Sequence, residues 1–231
     1  WGSPPSNNWG VGHPSIALDS NNFVHISYVW LQNGGDLKYA FYDQQTWTIS
    51  TVDSWNSVGQ HSQIEIDSLD NIHIIYLDFT ARDLKYAFST DGANWDISIA
   101  INSAGYVDEI SFDLDSFDVP QFVYHISSVI HYVKLVDEIN GIWVDTVIIN
   151  PAWNQTFNYP DMFIDRYNNI HVVNTETYNH DLIYHTFDGT NWNTIIAAST
   201  GQVGYNPSIT IDNLGDVHII HGGTGIFRYL T

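Results

Sequence analysis

The 231-residue chain has no cysteine, so neither a disulfide nor a thiolate metal site can form. Its redox compartment is therefore unreadable from composition. Basic residues are almost as scarce: six Lys and Arg stand against 26 Asp and Glu, a formal charge of −20. Such a field repels nucleic acid and anionic membranes and excludes nucleic-acid binding as a function class. No apolar run approaches the roughly 18 to 20 residues that span a bilayer, so no membrane insertion is expected. No segment carries a helical period, and no phosphate-binding glycine loop or Ser/His/Asp signature is present. The chain opens on Trp1, with nothing resembling a signal peptide, and reads as a mature or trimmed product.

What the chain does have is aromatic residues (15%) and a phrase that returns. "DSNNFVHISY" at 19 comes back as "DSLDNIHIIY" at 67, "DRYNNIHVVN" at 165 and "DNLGDVHIIH" at 212. Aligned on the aspartate that closes the first strand, the units start from Asp19, Asp67, Asp113, Asp165 and Asp212, separated by 48, 46, 52 and 47 residues. Each unit reads as an alternating stretch, a polar turn, a His-bearing strand, a third strand such as "DLKYAF" (36–41 and 83–88), then a Trp and a last alternating stretch. Period-2 patterning rich in Ile, Val, Tyr and Thr, cut by Asp, Asn and Gly, is the strand signal. Four short antiparallel strands in each 40–50-residue unit predict an all-β, five-bladed β-propeller forming one domain over 1–231. Blades are expected to start near 13, 61, 107, 159 and 206. The C-terminus stops after a third strand, so residues 1–12 are expected to supply the missing outer strand and close the ring.

"STDGANW" (89–95) and "TFDGTNW" (186–192) precede two of the fourth strands. They resemble the Asp-box of BNR-type propellers, with Asp and Trp four apart rather than five. The resemblance implies fold-building turns, and says little of chemistry. It brings sialidases to mind, yet their three-arginine carboxylate clamp finds only Arg82, Arg166 and Arg228 in the whole chain, on segments that cannot easily converge.

His25, His73, His171 and His218 share one repeat position, where the third unit has Pro120. One metal needs ligands within about 2 Å of the ion. Equivalent positions on different blades are too far apart, so each histidine is read as bonding a neighbouring turn. Tyr39, Tyr86, Tyr132, Tyr184 and Tyr229 mark the third strand as inter-blade packing. Lys38, Lys85 and Arg228, just before these tyrosines, are expected to pair with turn carboxylates. No cofactor is expected, with calcium on the run "DLDSFD" (113–118) as the one candidate; that run lacks the EF-hand pattern.

Function is expected in the loops, where the units differ. One blade edge gathers turn aspartates. The other gathers Trp9, Trp30, Trp55, Trp153, Tyr106, Tyr159 and Tyr205, with His13, His61, Asp108 and Asp161 at the start of the innermost strands. Rings beside Asn, Asp and His suit a sugar, whose apolar face stacks while its hydroxyls bond. These residues are the candidate glycan-binding set of a lectin-like module at the cell surface or outside the cell. Two alternatives stay open: a glycosidase or polysaccharide lyase with a central cleft, using Asp108, Glu109 and Asp161 or a His/Tyr pair, and a structural propeller meeting protein partners in a surface assembly. Asn154 heads the one Asn-X-Thr sequon.

Overall fold

The protein is described from a computed structural model, which defines residues 10–127, 129–148, 157–176, 178–201, 203–223 and 226–230. Trp9, Trp153, Asn154 and most of the expected closing strand lie outside these residues. The chain forms two compact units, residues 1–103 and 104–231.

The first unit holds two antiparallel sheets. Sheet one is β1 (Val11–Leu18), β2 (Val24–Trp30), β3 (Asp36–Tyr42) and β4 (Trp47–Asp53). Sheet two is β5 (Val58–Ile66), β6 (Ile72–Asp78), β7 (Asp83–Ser89) and β8 (Asp96–Ile101). The second unit holds three. Sheet three is β9 (Glu109–Leu114), β10 (Pro120–Ile126), β11 (Val129–Asp137) and β12 (Ile142–Val147). Sheet four is β13 (Phe157–Ile164), β14 (Ile170–Glu176), β15 (Leu182–Phe187) and β16 (Trp192–Ala198). Sheet five is β17 (Val203–Ile211), β18 (Val217–Gly223) and β19 (Ile226–Leu230), three strands among the described residues. Residues 11 and 12, placed in a closing strand by the sequence pattern, pair instead with Val29 and Trp30 inside sheet one. Strands meander in sequence order, because each short polar turn joins hydrogen-bonded neighbours.

The core lies between sheets rather than within one. In the first unit Leu37, Tyr39 and Val52 of sheet one pack on Ile64, Ile74 and Ala87 of sheet two. In the second, Val123, Ile130 and Tyr132 pack on Met162, Ile164 and Val172, and Val173 and Leu182 pack on Ile209 and Ile219. Middle strands are covered on both faces, which explains why β6 (IHIIYLD) and β14 (IHVVNTE) are buried from end to end. Adjacent first strands are also stitched by side chains. Ser15 Oγ accepts the Ile64 N–H at 3.2 Å, and Ser111 Oγ accepts the Met162 N–H at 2.9 Å.

The turn after each first strand is built by one aspartate. Its Oδ1 accepts the N–H groups two and four residues on, at Asp19, Asp67, Asp115, Asp165 and Asp212. The residue three positions on is left-handed each time: Asn22, Asp70, Asp118, Asn168 and Gly215. In the third unit the turn aspartate is therefore Asp115, and the expected Asp113 is a correction. "DSFDVPQ" (115–121) aligns with "DSLDNIH" (67–73), whereas Asp113 sits on β9 and accepts the Ile164 N–H at 2.7 Å. Burial lifts the Asp113 carboxyl to about 6.

The corrected frame also replaces Pro120 by Gln121 at the histidine position. Nε2 of His73 meets Asp67 at 3.2 Å, and its Nδ1 meets the Tyr86 hydroxyl at 2.6 Å. Gln121 donates Nε2–H to Asp115 at 2.8 Å and accepts from the Tyr132 hydroxyl at 2.6 Å. The amide reproduces both ends of the imidazole relay, donating to the turn aspartate and accepting from the tyrosine. His171 and His218 repeat the pattern with Asp165 and Tyr184, and with Asp212 and Tyr229. His25 keeps the Tyr39 bond at 2.7 Å, but at 3.5 Å its Nε2 is at ion-pair distance from Asp19 rather than hydrogen-bonded. Burial lowers the affinity of His25 and His171 for a proton, against the pull of their aspartates. These histidines are built into the sheets.

The Asp-box-like turns are equally structural. Asp91 Oδ1 accepts the Ala93 and Asn94 N–H groups, and Trp95 then packs edge-on against Tyr39 of the preceding sheet, 5.3 Å between centroids. Trp192 meets Tyr132 in the same way at 5.6 Å. Of the basic residues before the tyrosines, Lys38 and Lys85 pair with carboxylates on strands rather than in the expected turns, while Arg228 donates to the Thr200 carbonyl at 3.5 Å. Lys38 meets Asp36 at 3.0 Å, while Lys85 meets Asp53 and Asp78, each at 3.1 Å.

Candidate functional site

The aromatic edge forms within each unit because backbone bonds knit its loops together. In the first unit the Val58 N–H donates to Gly35 C=O, the Phe79 N–H to Ser57 C=O, and the Ser57 N–H to Thr80 Oγ1. On this lattice Trp55 stands 75% exposed. Its backbone N–H donates to Asp53 Oδ1 at 3.1 Å, and the other oxygen of that carboxylate receives the Tyr76 hydroxyl at 2.8 Å and Lys85 at 3.1 Å. Burial would lift the Asp53 carboxyl, but these donors outweigh it and hold it low. The exposed ring thus rises from a buried, bonded base. Nearby in the chain, the Arg82 guanidinium lies 3.9 Å above the exposed Phe79 ring. Trp30 is half-buried on the last position of β2, opposite Val11 and Asp36.

His13 and His61 occupy one repeat position, six residues before the turn aspartates, and their rings meet at 4.2 Å. Both backbones are left-handed (φ 48° and 52°), at bulges that break the register of β1 and β5. Burial lowers the proton affinity of His13. In the second unit Tyr159 and Asn206 hold the same bulge position with φ of 56° and 43°. Four non-glycine residues in this sparse region, all at one repeat position, mark a backbone held in place by its surroundings.

The third sheet departs from that pattern. Its equivalent residue, Glu109, is in regular β9 and pairs across the strands with His125. Burial, then the neighbouring Asp108, raises the Glu109 carboxyl. Asp108 also stands 3.8 Å from His125 Nδ1, whose proton affinity burial lowers. His125 escaped the sequence reading. Framing the repeat on Asp115 would have shown it as a polar residue where the other units carry Val29, Leu77, Thr175 and Gly222.

One oxygen of Asp161 accepts from Ser111 Oγ and the other from the Ile209 N–H, each at 2.9 Å, so its carboxylate joins three first strands. The Tyr205 ring meets His180 at a tilt, 5.0 Å between centroids, while Tyr106 and Tyr159 are exposed. On the opposite edge, Asp115 receives Gln121 and Lys134 besides its turn amides, and Asp113 is held by Ile164. Among the described residues no three His, Asp or Glu side chains are grouped to hold a metal.

No protein-family model matches the chain, and no curated protein matches it in sequence. Solved structures do match in fold. A protein of unknown function from Dyadobacter fermentans superimposes on 97% of the chain at 10% identity, with a TM-score of 0.64 over 76% of its own length. A polysaccharide lyase of family PL25, an ulvan lyase bound to a GlcA–Rha3S saccharide, covers 93% at 14% identity, with a TM-score of 0.67 over 66% of its length. A family GH93 α-L-arabinofuranosidase of Fusarium graminearum, in complex with arabinobiose, covers 95% at 11% identity, with a TM-score of 0.65 over 77% of its length. At such identities the likeness establishes the fold, a β-propeller type of architecture, and nothing finer.

Proposed function

We propose that the chain is a carbohydrate-binding propeller module whose aromatic loop edge meets glycans outside the cell or at its surface. One observation carries this reading: Trp55 is three-quarters exposed, yet rooted through Asp53 in the buried Tyr76–Lys85 cluster. An indole carried on a bonded backbone, with only two side-chain torsions to order, offers a flat apolar face of the kind that stacking on a pyranose ring needs. Phe79 with Arg82, Tyr106 and Tyr159 extend the aromatic edge within each unit. The saccharides bound by the ulvan lyase and the arabinofuranosidase make a sugar ligand a natural use of this fold. A glycan array, run with and without a calcium chelator, tests the reading. Binding to a defined sugar that falls about tenfold or more in Trp55→Ala, some 1.4 kcal/mol, supports it; silence across a broad array sinks it.

A second reading rests on Glu109, Asp108 and His125. A carboxyl with raised proton affinity beside a second carboxylate and an imidazole is the raw material of acid–base catalysis on a glycosidic or uronate substrate. Glu109→Gln separates the two readings. It leaves lectin binding unchanged, and it removes product formation from a polysaccharide if the chain is an enzyme.

A further inference from the structure

The two end sheets present apolar faces that the interior sheets cover. Three residues before each turn aspartate stand Ile16, Ile64, Phe112, Met162 and Ile209, and the last four are 1%, 5%, 5% and 6% exposed. Ile16 is 65% exposed. At its cross-strand partner Ile26 opens a groove of about 610 Å³, lined also by Val11, Pro14, Tyr28, Trp47 and Ile49. In sheet two the matching Ile74, Tyr76 and Ala87 are sealed by Leu37, Tyr39 and Val52 of the preceding sheet. The opposite face fails at the other end. Two residues before each third-strand tyrosine stand Leu37, Leu84, Ile130 and Leu182, all within 1% of full burial, and then Phe227, 88% exposed. Among the described residues, the Ile16 face of sheet one and the Phe227 face of sheet five are thus left open.

Terminal repeats of a stacked array normally turn a polar face to water. Here both ends carry interior chemistry, and exposed apolar areas of this kind mark a contact surface. We infer that the β1–β4 face is covered by a further four-stranded sheet of this same repeat, carried by polypeptide outside residues 1–231, so that the complete propeller has more than five blades. The covering sheet must present an aliphatic-x-Tyr third strand, as Leu37–Tyr39 does toward sheet two. Propellers hold four to eight blades. One to three more sheets satisfy that range, whereas two copies docked end to end would make ten. The matched structures agree in size: they cover nearly all of this chain, which spans only 66–77% of those described above.

The absence of cysteine makes the test clean. Single variants Ile16→Cys, Phe227→Cys, Ile139→Cys (an exposed reference) and Ile64→Cys (a buried one) are labelled with a maleimide, and mass is read by light scattering. The expected result is a monomer in which the thiols of Ile16→Cys and Phe227→Cys react about as fast as that of Ile139→Cys. Both should react on the order of a hundredfold faster than the thiol of Ile64→Cys. Fusing a copy of residues 58–101 ahead of residue 1 then slows labelling of Ile16→Cys about tenfold or more. Protection of that thiol in the unextended monomer means the chain covers its own face, and protection in a dimer means a second copy does. Either overturns the inference, as does unchanged labelling of Ile16→Cys in the extended chain.

Discussion

The His73 relay offers the sharpest test of the claim that the repeated histidines are structural. Replacing His73 by Ala removes the imidazole, itself buried, that meets the half-buried Tyr86 hydroxyl at 2.6 Å. Asp67 keeps the Asn71 amide at 2.8 Å and its two turn N–H groups, so it stays satisfied. Loss of the hydrogen bonds at this buried imidazole costs roughly 1–3 kcal/mol. The lost edge contact between His73 and Phe88, at 5.1 Å, adds roughly 1 kcal/mol. The total expected for His73→Ala is about 3 kcal/mol. His73→Gln keeps a donor for Asp67 and an acceptor for Tyr86, as Gln121 does in the third sheet, and should cost about 1 kcal/mol or less. The difference of about 2 kcal/mol is well resolved by urea denaturation at about pH 7.5, read by tryptophan fluorescence. Gln121→His should be nearly neutral in the same assay. If the Gln and Ala variants of His73 are equally damaging, the bonded relay is not what the residue supplies; if Ala costs nothing, the site is not structural at all.

Three further outcomes follow from the same geometry. His185 is sealed between Asn174 at 2.7 Å and Thr194 at 2.8 Å, and burial pulls its pKa down to about 4. Its contribution is complete above the unfolded value near 6.5 and is lost as pH falls toward 4, so the stability gap between wild type and His185→Asn should shrink by roughly 3 kcal/mol over that window. Asp113, raised to about 6, works in the opposite direction below that pH, which is why the difference rather than the wild-type curve is the readout. Lys85→Ala leaves Asp53 and Asp78 facing one another with no cation; since Lys85 is partly exposed, about 2 kcal/mol is expected in chemical denaturation, and salt should recover part of it. Gly59→Ala places a Cβ 2.8 Å from the Leu37 backbone at φ +92°, and should cost about 2 kcal/mol or more, whereas Gly141→Ala, at φ +63° in open space, should cost about 1 kcal/mol in the same titration.

Much of this molecule is written locally. Alternation, Asp-led turns and their 47–50-residue spacing determine strands and meanders, because each hairpin is decided by a dozen neighbouring residues. The structural role of the histidines was legible for the same reason: six residues separate each from the aspartate it meets. Choices that depend on another repeat were not legible. Asp113 and Asp115 are two apart in one acidic run, and only the bond from Ile164, 51 residues away, shows which belongs to the strand and which to the turn. That Asp161 ties its strand to partners 50 and 48 residues distant was equally invisible in the sequence. Trp55 was visible as an aromatic in a loop, but the tertiary structure decided that it stands in water on a bonded base. The unequal fate of Ile16 and Ile64, which hold the same repeat position, was likewise decided by which sheet has a neighbour to bury it. Periodicity reports which side of a strand is apolar; only packing reports what covers it.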